Sequence, residues 1–286
     1  MKVFAEPDDM QAESLRLRRE GVRIGLVPTM GYLHEGHLSL VRIAREHCDV
    51  AVVSVFVNPT QFGPGEDLDS YPRDFERDRR LCEQAGTAIL FCPSADSMYR
   101  PAHSVYVQEE SLSRGLCGAS RPTHFCGVTT VVAKLFNIVL PHVAVFGRKD
   151  AQQARILERM VRDLNFPVRL LVGPIVREPD GLAMSSRNRY LSPRERRDAL
   201  CLRKALLETE RLYGEGERSA AALRARMETI IRQVDSATID YLAVVDYENL
   251  QPLETVDRPA LVAVAARVGA TRLIDNTLIG IEENEE

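Results

Sequence analysis

The sequence predicts an α/β protein, with a Rossmann-like parallel sheet covered by helices on both faces and a smaller C-terminal α+β domain. Short apolar runs alternate with helical patterns through the first half, and the run at 50–57 (VAVVSVFV) carries no charge. Such runs are typical of parallel strands buried on both faces. Helical patterns dominate after residue 193 and short strands follow. We therefore predict domains at 1–185 and 186–286.

The elements of the predicted sheet follow one another as strand and helix, which makes the sheet parallel. The segment 127–139 is apolar nearly all round, so we expect a buried helix there. The predicted strands are 22–27, 50–57, 88–91, 143–146 and 168–172, and the predicted helices are 38–47, 72–85, 127–139 and 151–164. The second domain is predicted to hold helices within 193–234 and strands at 240–245, 261–266 and 271–276.

Composition excludes several classes of protein. The 286 residues include 37 basic and 41 acidic side chains, a net charge of −4, which argues against a nucleic-acid binder. No apolar stretch is long enough to span a membrane, and the N-terminus is too charged for a signal peptide, so we expect a cytoplasmic protein. The six cysteines form no C-x-x-C pair and show no metal-site spacing, which predicts free thiols.

Four polar motifs follow predicted strands, at 28–37, 58–62, 147–150 and 184–188. Ligands of open parallel sheets bind outside the carboxyl ends of the strands, so we expect the four motifs to converge. The chain has no P-loop and no G-x-G-x-x-G after the first strand, which disfavours those nucleotide-binding classes.

Two histidines, His34 and His37, mark the first motif. A helix beginning near Gly36 would offer backbone N–H groups and its positive dipole end to phosphate, and the imidazoles would add donors. A metal pair lacks further ligands at fixed spacing, and a structural pair is the other alternative. Phosphate contact is the interpretation we favour.

Lys149 follows a strand at the start of a helix, where it would be a point charge for phosphate, although a lone lysine is commonly a solvated one. Ser185, Ser186 and Arg187 supply hydroxyls and a guanidinium suited to a triphosphate, although S-S-R is also common in loops. Asn58 and Gln61 are suited to a substrate hydroxyl or carboxylate, with helix capping as the alternative role.

Two further residues are candidates on position alone. Gln153 lies one helical turn after Lys149 and is expected to face the same pocket. Asp78 is a candidate Mg²⁺ ligand, although an aspartate on an exposed helix face is usually solvated. The segment 63–70 (GPGEDLDS) has the composition of a mobile lid.

The chain resembles the pantoate–β-alanine ligase family within the HIGH-type nucleotidyltransferase superfamily. H-E-G-H at 34–37 is similar to the HIGH signature, and M-S-S-R at 184–187 is similar to the KMSKS counterpart. P-T-M-G-x-L-H-x-G-H, F-V-N-P-x-Q-F, Y-P-R, R-P-x-H-F-x-G-V, K-D-x-Q-Q and D-G-L-A-M-S-S-R-N-x-Y-L occur here in the family's order, and D-Y-L and T-R-L-I-D-N follow. The ordered set is far more specific than any single motif.

The resemblance implies ATP-dependent ligation of (R)-pantoate and β-alanine to pantothenate, through a pantoyl adenylate, with release of pyrophosphate and AMP. It implies Mg²⁺ on the ATP phosphates, bound with Asp78, and a homodimer without nucleic-acid or membrane partners. The implied catalytic residues are His34, His37, Lys149, Ser185, Ser186 and Arg187. The implied ATP-binding residues are Met30, Gly31, Tyr32, Leu33, His34, Glu35, Gly36, His37, Gly147, Arg148, Lys149, Asp150, Val176, Met184, Ser185, Ser186 and Arg187. The implied substrate-binding residues are Asn58, Gln61, His124 and Gln153.

Two residues depart from the family pattern. Arg148 stands where the family usually has glutamate, and Cys126 stands where it often has arginine. Neither change removes Lys149. A related nucleotidyltransferase with another acceptor would lack the F-V-N-P-x-Q-F and R-P-x-H-F segments, and a non-enzymatic nucleotide-binding module would show losses at His34, Lys149 or S-S-R. A tRNA synthetase is disfavoured by the chain's length and acidic balance.

Overall fold

The computed structural model of the chain describes residues 1–281 and divides them into two compact units. The first unit comprises Met1–Ser113, Arg121–Arg148 and Gln153–Val176. The second comprises Arg114–Ser120, Lys149–Gln152 and the chain from Arg177 onward. Residues 177–185 therefore belong to the second unit, whereas we predicted them in the first domain. The boundary at 185/186 stays a prediction.

The first unit is built on six parallel strands. These are β1 (Lys2–Phe4), β2 (Ile24–Thr29), β3 (Val50–Val55), β4 (Ile89–Phe91), β5 (Val143–Gly147) and β6 (Arg169–Gly173). Their order is β1-β4-β3-β2-β5-β6, and every pairing is parallel. This confirms the predicted Rossmann-like sheet.

Helices of the first unit connect these strands. They are α1 (Pro7–Arg19), α2 (Glu35–His47), α3 (Phe75–Gln84), α4 (Ala95–Met98) and α6 (His124–Val139). The short helix α5 (Cys117–Ser120) belongs to the second unit, and α7 (Ala151–Asp163) follows β5. Among residues 1–281, no helix is long and apolar enough to cross a membrane.

The order in which successive strands are added to the sheet reverses between β2 and β5. These two strands are neighbours. From β2 the chain continues through β3 to β4, toward the edge formed by β1, and from β5 it continues to β6 at the opposite edge. At such a switch point the loops leaving the two central strands separate and leave a crevice. The segment after β2 carries His34 and His37, while Gly147 ends β5 and Arg148 follows it.

The core of the first unit lies where α2 packs on the sheet. Val27, Val53, Leu90 and Val145 are fully buried and belong to one apolar cluster with α2 residues such as Val41. Leu40, Val41 and Ala44 are the buried side chains of α2, at the spacing of one helical face. This packing fixes the direction of α2, and therefore the position of its N-terminus.

The helix α6 is buried along most of its length, as its apolar sequence predicts. Gly127 in its first turns is required by a close approach. A Cβ at this position would lie 2.4 Å from the Thr60 carbonyl oxygen and 2.6 Å from the Gln61 nitrogen. The short 3-10 turn Pro59–Gln61 therefore rests directly on the α6 backbone.

The second unit has a three-stranded antiparallel sheet, formed by β7 (Ala237–Asp246), β8 (Ala260–Val268) and β9 (Thr271–Ile279) in that order. Its other helices are α8 (Pro193–Asp198), α9 (Leu200–Gly214) and α10 (Ala220–Ile231). Leu202, Leu206, Leu223 and Val262 are fully buried in a separate apolar cluster. The smaller α+β fold predicted for the C-terminal part is confirmed.

The N-terminal pair β1 and α1 had no prediction. The strand has three residues, and α1 is dominated by charged side chains that mask its apolar face. Met10, Ser14 and Leu17 are nevertheless its buried side chains, at positions i, i+4 and i+7. Glu13 is bonded to Lys2 and Arg16, and these bonds hold its pKa at about 2.

Candidate active site

The loop between β2 and α2 is held in an unusual backbone conformation. Gly31 and Tyr32 both have positive φ, 82° and 50°. The Thr29 hydroxyl accepts a bond from the Gly31 N–H at 3.1 Å and donates to the Ser54 carbonyl at 2.8 Å. A Cβ on Gly31 would meet Val55 Cγ1 at 2.9 Å, so this position needs glycine for space as well as for φ.

Asp78 anchors the same loop from α3. Its two carboxylate oxygens accept the N–H groups of Tyr32 and Leu33, each at 2.7 Å, and the residue is 1% exposed. Burial raises the pKa of Asp78, and the two backbone N–H bonds oppose that effect. These contacts favour a structural role. Within residues 1–281 there is no cluster of three His, Cys, Asp or Glu side chains suited to a metal ion. Asp78 as a Mg²⁺ ligand stays a prediction.

His34 and His37 are brought together at the N-terminus of α2. The helix begins at Glu35, and His34 precedes it with extended dihedral angles. The ring centroids lie 4.0 Å apart, and the backbone N–H of His34 donates to His37 Nδ1 at 3.2 Å. A neutral imidazole that accepts at Nδ1 carries its proton on Nε2. His37 is thereby oriented as an N–H donor at the positive end of the helix dipole.

The other ATP-binding candidates of the first unit lie around the ends of β2, β5 and β6. Glu35 is exposed and ion-paired with Arg42. Gly147 ends β5, which pairs with β2 through Leu26 and Ala144. Arg148, the residue that departs from the family pattern, is half-buried. The remaining candidates, Met30, Gly36 and Val176, are also half-buried.

The motif after β3 contacts the motif after β2. Gln61 Nε2 lies 3.0 Å from the Met30 sulfur, and the Gln61 Oε1 accepts a bond from Asn58 Nδ2 at 3.1 Å. Because the side-chain oxygen of Gln61 accepts the bond from Asn58, the side-chain N–H₂ group of Gln61 points toward Met30. That orientation suits a substrate hydroxyl or carboxylate.

Asn58 is a supporting residue in this geometry. It is 1% exposed, and its Nδ2 also donates to the Gly127 carbonyl at 3.1 Å. Its Oδ1 accepts from the Tyr99 hydroxyl at 2.7 Å and from the Thr60 hydroxyl at 2.9 Å. Burial raises the pKa of Tyr99, so its hydroxyl remains a donor. The structure therefore favours orientation of Gln61 by Asn58 over direct substrate contact.

His124 and Arg121 lie on the other side of Gln61. His124 Nδ1 is 2.9 Å from the backbone carbonyl oxygen of Gln61, and Arg121 donates to the same backbone oxygen at 3.3 Å. Arg121 also forms a two-pronged ion pair with Glu66, with one bond of 2.7 Å. Glu66 belongs to the segment 63–70, so this segment is attached to the Gln61 turn through Arg121.

Gln153 is half-buried in the first two turns of α7. Its predicted contact with substrate rests on this position and on the resemblance, and no hydrogen bond among the described residues defines its orientation. Cys126, which departs from the family pattern, is half-buried one residue before Gly127.

In the second unit, Lys149 lies in a 3-10 turn, Arg148–Asp150, directly before α7. Its side chain is half-buried, and Asp150 is exposed. The Lys149 carbonyl accepts a bond from Asn276 Nδ2 at 2.9 Å, on strand β9. The backbone of the predicted catalytic lysine is thus fixed by a buried side chain distant in sequence.

The segment with Ser185, Ser186 and Arg187 follows a tight hairpin. Arg177 and Ala183 pair across it, and the Ser185 hydroxyl accepts the Arg187 N–H at 3.3 Å at the start of the 3-10 turn Ser186–Tyr190. Ser186 is 8% exposed, while Met184 and Arg187 are half-buried. The hydroxyls and the guanidinium come from one rigid turn. Convergence of all four motifs stays a prediction, because each unit is described by itself.

Sequence reasoning missed Tyr99, Glu66 and Asn276 as residues of these sites. Tyr99 and Asn58 are 41 positions apart, and Asn276 and Lys149 are 127 apart. No periodicity links positions so distant. The only sequence signal was the T-R-L-I-D-N run, which contains Asn276 without indicating its contact.

Known proteins are similar to this chain over nearly its whole length. A family model described as pantoate-beta-alanine ligase matches residues 2–278. A pantothenate synthetase of Thermotoga petrophila is 58% identical over 98% of the chain and 100% of its own length. Another from Geobacter sulfurreducens is 53% identical over 99% of the chain and 100% of its length.

Solved structures share the fold. A pantothenate synthetase from Thermus thermophilus superposes with a TM-score of 0.92 at 47% identity, over 97% of this chain and 99% of that one. A pantoate-beta-alanine ligase from Francisella tularensis, complexed with beta-gamma ATP and β-alanine, superposes with a TM-score of 0.80 at 30% identity, over 97% of each chain. The resemblance drawn from the motifs is confirmed.

Proposed function

The chain belongs to the pantoate–β-alanine ligase family, and we propose that its residues join (R)-pantoate to β-alanine through a pantoyl adenylate. A carboxylate has no good leaving group, and transfer of AMP from ATP supplies one. The pantoate carboxylate attacks the α-phosphorus and pyrophosphate leaves. The β-alanine amine then attacks the acyl carbon and AMP leaves.

The observation that carries the proposal is the histidine pair at the N-terminus of α2. His37 accepts the His34 N–H at Nδ1, which leaves Nε2–H as the donor. A donor fixed at a helix N-terminus suits an oxygen that gains negative charge as the bond to pyrophosphate breaks. We propose that His37 and His34 stabilise this charge. Proton donation is a lesser need, because pyrophosphate leaves readily as an anion.

In the second unit we assign phosphate binding to Lys149, Ser185, Ser186 and Arg187. Lys149 supplies a point charge beside a backbone that Asn276 holds in place. The serine hydroxyls and the Arg187 guanidinium come from one turn, so their backbone positions are fixed relative to one another. Fixed relative positions lower the entropic cost of assembling the transition state.

Pantoate binding is assigned to the Gln61 amide. Its N–H₂ group is aimed by the bond from Asn58, which is in turn held by Tyr99. Gln153 is proposed as a second amide for pantoate and His124 as a neighbour of that pocket. Gln61 is also proposed to face β-alanine, whose amine must approach the activated carboxyl carbon.

Mg²⁺ is proposed to bind to the phosphates of ATP. Asp78 is proposed as its protein ligand, and the two carboxylate oxygens of Asp78 also accept backbone N–H groups. Mg²⁺ commonly keeps several waters and binds through substrate phosphates.

We also propose that the protein is a homodimer, as the family resemblance implies. Sedimentation velocity should give a particle of about twice the 32.1 kDa chain mass. A particle of single chain mass at micromolar concentration would contradict this assignment without affecting the chemistry.

The first experiment follows pyrophosphate release from Mg-ATP. With (R)-pantoate alone, we expect a burst of about one pyrophosphate per active chain, and continuous turnover once β-alanine is added. Product analysis should show AMP and pantothenate. A folded protein without burst or turnover would overturn the proposed activity, and turnover with pantoate that ignores β-alanine would overturn the ligation step.

A further inference from the structure

Strand β9 carries two buried polar residues in succession. Asp275 and Asn276 are each 3% exposed. Successive side chains of a strand point to opposite faces, so this pair presents one polar group on each side of β9. Burying a carboxylate and an amide costs free energy unless both are hydrogen-bonded, and apolar residues would avoid that cost. The hydrogen bonds of Asp275 and Asn276 show which parts of the chain the two side chains hold.

Asn276 bonds to the backbone of the lysine turn. Its Nδ2 donates to the Lys149 carbonyl at 2.9 Å. Lys149 lies in the 3-10 turn before α7, and its carbonyl is fixed relative to β9 by this bond. The Asn276 backbone N–H donates to Asp275 Oδ1 at 2.8 Å, which holds the Asp275 carboxylate against the strand backbone.

Asp275 bonds to the base of the serine turn. Its carboxylate accepts two bonds from the Arg177 guanidinium, at 2.7 and 3.0 Å. Arg177 also donates to the Gly181 carbonyl at 3.1 Å and pairs with Ala183, so it closes the hairpin that ends immediately before Met184. Planar paired bonds of this kind fix orientation as well as charge.

Hydrogen bonds of Asn188 connect the hairpin to the turn that holds Ser185–Arg187. Asn188 Nδ2 donates to the Glu178 carboxylate at 2.8 Å and to the Ala183 carbonyl at 3.1 Å, and its backbone N–H donates to the Ser185 carbonyl at 3.0 Å. Strand β9 itself contacts the turn Ser186–Tyr190. The turn is thus linked to β9 through Arg177 at its base and by direct contact with the strand.

We propose that Asp275 and Asn276 are positioning residues for the two phosphate-binding elements of the second unit. Asn276 fixes Lys149, and Asp275 fixes the Ser185–Arg187 turn through Arg177. The inference rests on the proposed function, because it takes Lys149 and the serine turn as the groups that bind phosphate. One dipeptide on a rigid strand would then hold both elements in register with each other.

The test compares Asn276→Ala and Asn276→Asp with Asn249→Asp, an exposed loop asparagine outside both elements. We expect the Asn276 variants to lower kcat for pyrophosphate release by roughly 10-fold to 100-fold, with a smaller change in the KM for ATP, because a misplaced group loses transition-state stabilisation. Asn249→Asp should match the unsubstituted enzyme. An Asn276 variant with normal kcat would overturn the inference.

A double-substitution cycle separates positioning from general destabilisation. In a Lys149→Ala background, Asn276→Ala should have little further effect on kcat, because its effect passes through Lys149. Asp275→Asn should still lower kcat in that background, because it acts on the serine turn. Full additivity of Asn276→Ala and Lys149→Ala below the unfolding temperature would overturn the role of Asn276.

The serine turn is tested through Arg177. Arg177→Lys keeps the charge but loses the paired geometry, so it should lower kcat about as much as Asp275→Asn, and the two together should cost little more than either. Independent, additive effects would overturn the proposed route. Absence of pyrophosphate release by the unsubstituted chain would overturn the proposed function first, whereas normal release with inert β9 variants would overturn this inference alone.

Discussion

Lys149 is the residue on which adenylation should depend most. Its side chain is half-buried, and removal of a cation that meets developing phosphate charge typically costs 10²–10³-fold or about 3–4 kcal/mol in the transition state. Lys149→Ala should therefore lower the single-turnover rate of pyrophosphate release by about 10²-fold or more. Lys204→Ala, an exposed lysine of α9, is the matched control. Near-normal rates in Lys149→Ala would remove the residue from the mechanism.

Tyr99 should affect pantoate binding without touching pantoate. Its hydroxyl donates to Asn58 Oδ1 at 2.7 Å, and Asn58 orients the Gln61 amide. Tyr99→Phe removes one hydrogen bond, worth about 1 kcal/mol, while Thr60 still donates to the same oxygen. We expect the KM for pantoate to rise about 5-fold, with the KM for ATP unchanged.

The control for Tyr99→Phe is Tyr106→Phe. Tyr106 is 53% exposed, and the substitution keeps its ring. Steady-state kinetics with pantoate as the varied substrate should show no change for this control. An equal rise in the KM values for pantoate and ATP in Tyr99→Phe would indicate a general loss of structure and would contradict the specific role.

At the level of elements, the contact between α6 and the turn Pro59–Gln61 sets the position of Gln61. Gly127→Ala would place a methyl group 2.4 Å from the Thr60 carbonyl oxygen. The turn must then move, at a cost of about 1–3 kcal/mol in the free energy of unfolding. We expect a lower Tm and a higher KM for pantoate.

Gly214→Ala is the opposite case. Gly214 also lies in a helix, α9, but a Cβ there meets no atom within 4 Å. Alanine in place of glycine stabilises a helix interior by roughly 0.5–1 kcal/mol, and Gly214 is the last residue of α9, so the gain should be at the lower end of this range. The Tm should rise slightly and the kinetics should not change. Thermal unfolding of both variants checks the pair. A stable Gly127→Ala enzyme with normal pantoate KM would show that the turn is not held by α6.

The segment 63–70 should loosen in acid. Burial raises the pKa of Glu66, but the bonds and charge of Arg121 outweigh it, so the folded pKa lies below the ordinary value. The ion pair then stabilises the folded state at pH values above the unfolded pKa of about 4.3, and this stability is lost as the pH falls through the folded pKa.

Glu66→Gln makes this measurable. At pH 7 it should lower the free energy of unfolding by about 2 kcal/mol, because it removes a charged, partly buried hydrogen-bonded pair. The difference from the unsubstituted protein should shrink below about pH 4 in urea titrations. Glu110→Gln, on an exposed side chain, should show no difference at any pH. A Glu66→Gln effect that persists unchanged at pH 3 would contradict the role of the carboxylate.

Patterns of neighbouring residues predicted most of the strands and helices, and local side-chain hydrogen bonds fix the residues at which the helices begin. We predicted α3 from residue 72, but it begins at Phe75 because the Asp74 carboxylate accepts the Arg77 N–H. The apolar spacing predicted α2 from residue 38, and the glycine before it placed the helix start near Gly36. The helix begins at Glu35, where His37 accepts the His34 N–H. Histidine is not a usual capping residue, so the residue types alone did not fix this boundary.

The candidate site divides in the same way. His37 and Gln61 were predictable because each lies just after a strand, where a parallel sheet presents its ligands. Tyr99 and Asn276 act through contacts with residues 41 and 127 positions away. Contacts of that range depend on how whole elements pack, and a single sequence carries no local signal for them.

At the scale of the whole molecule, each unit has its own apolar cluster, and phosphate-binding residues are assigned in both. His34 and His37 belong to the first unit, and Lys149 and the Ser185–Arg187 turn belong to the second. A ligand that binds only the folded state raises stability by about 2.7 kcal/mol at 100 times its Kd. Mg-ATP with pantoate should therefore stabilise both units.

The chain has no tryptophan, so a single introduced tryptophan reports the unfolding of one unit. Leu15 on α1 and Leu207 on α9 are matched positions, 41% and 46% exposed, in the first and second units respectively. In Leu15→Trp and Leu207→Trp, saturating Mg-ATP with pantoate should raise the fluorescence-detected Tm by roughly 5–10 °C in both proteins. Adding Lys149→Ala should reduce the shift at the Leu207→Trp reporter, because Lys149 belongs to the same unit. A shift confined to one reporter would mean that the substrates bind one unit alone, and it would contradict the assignment of phosphate contacts to both.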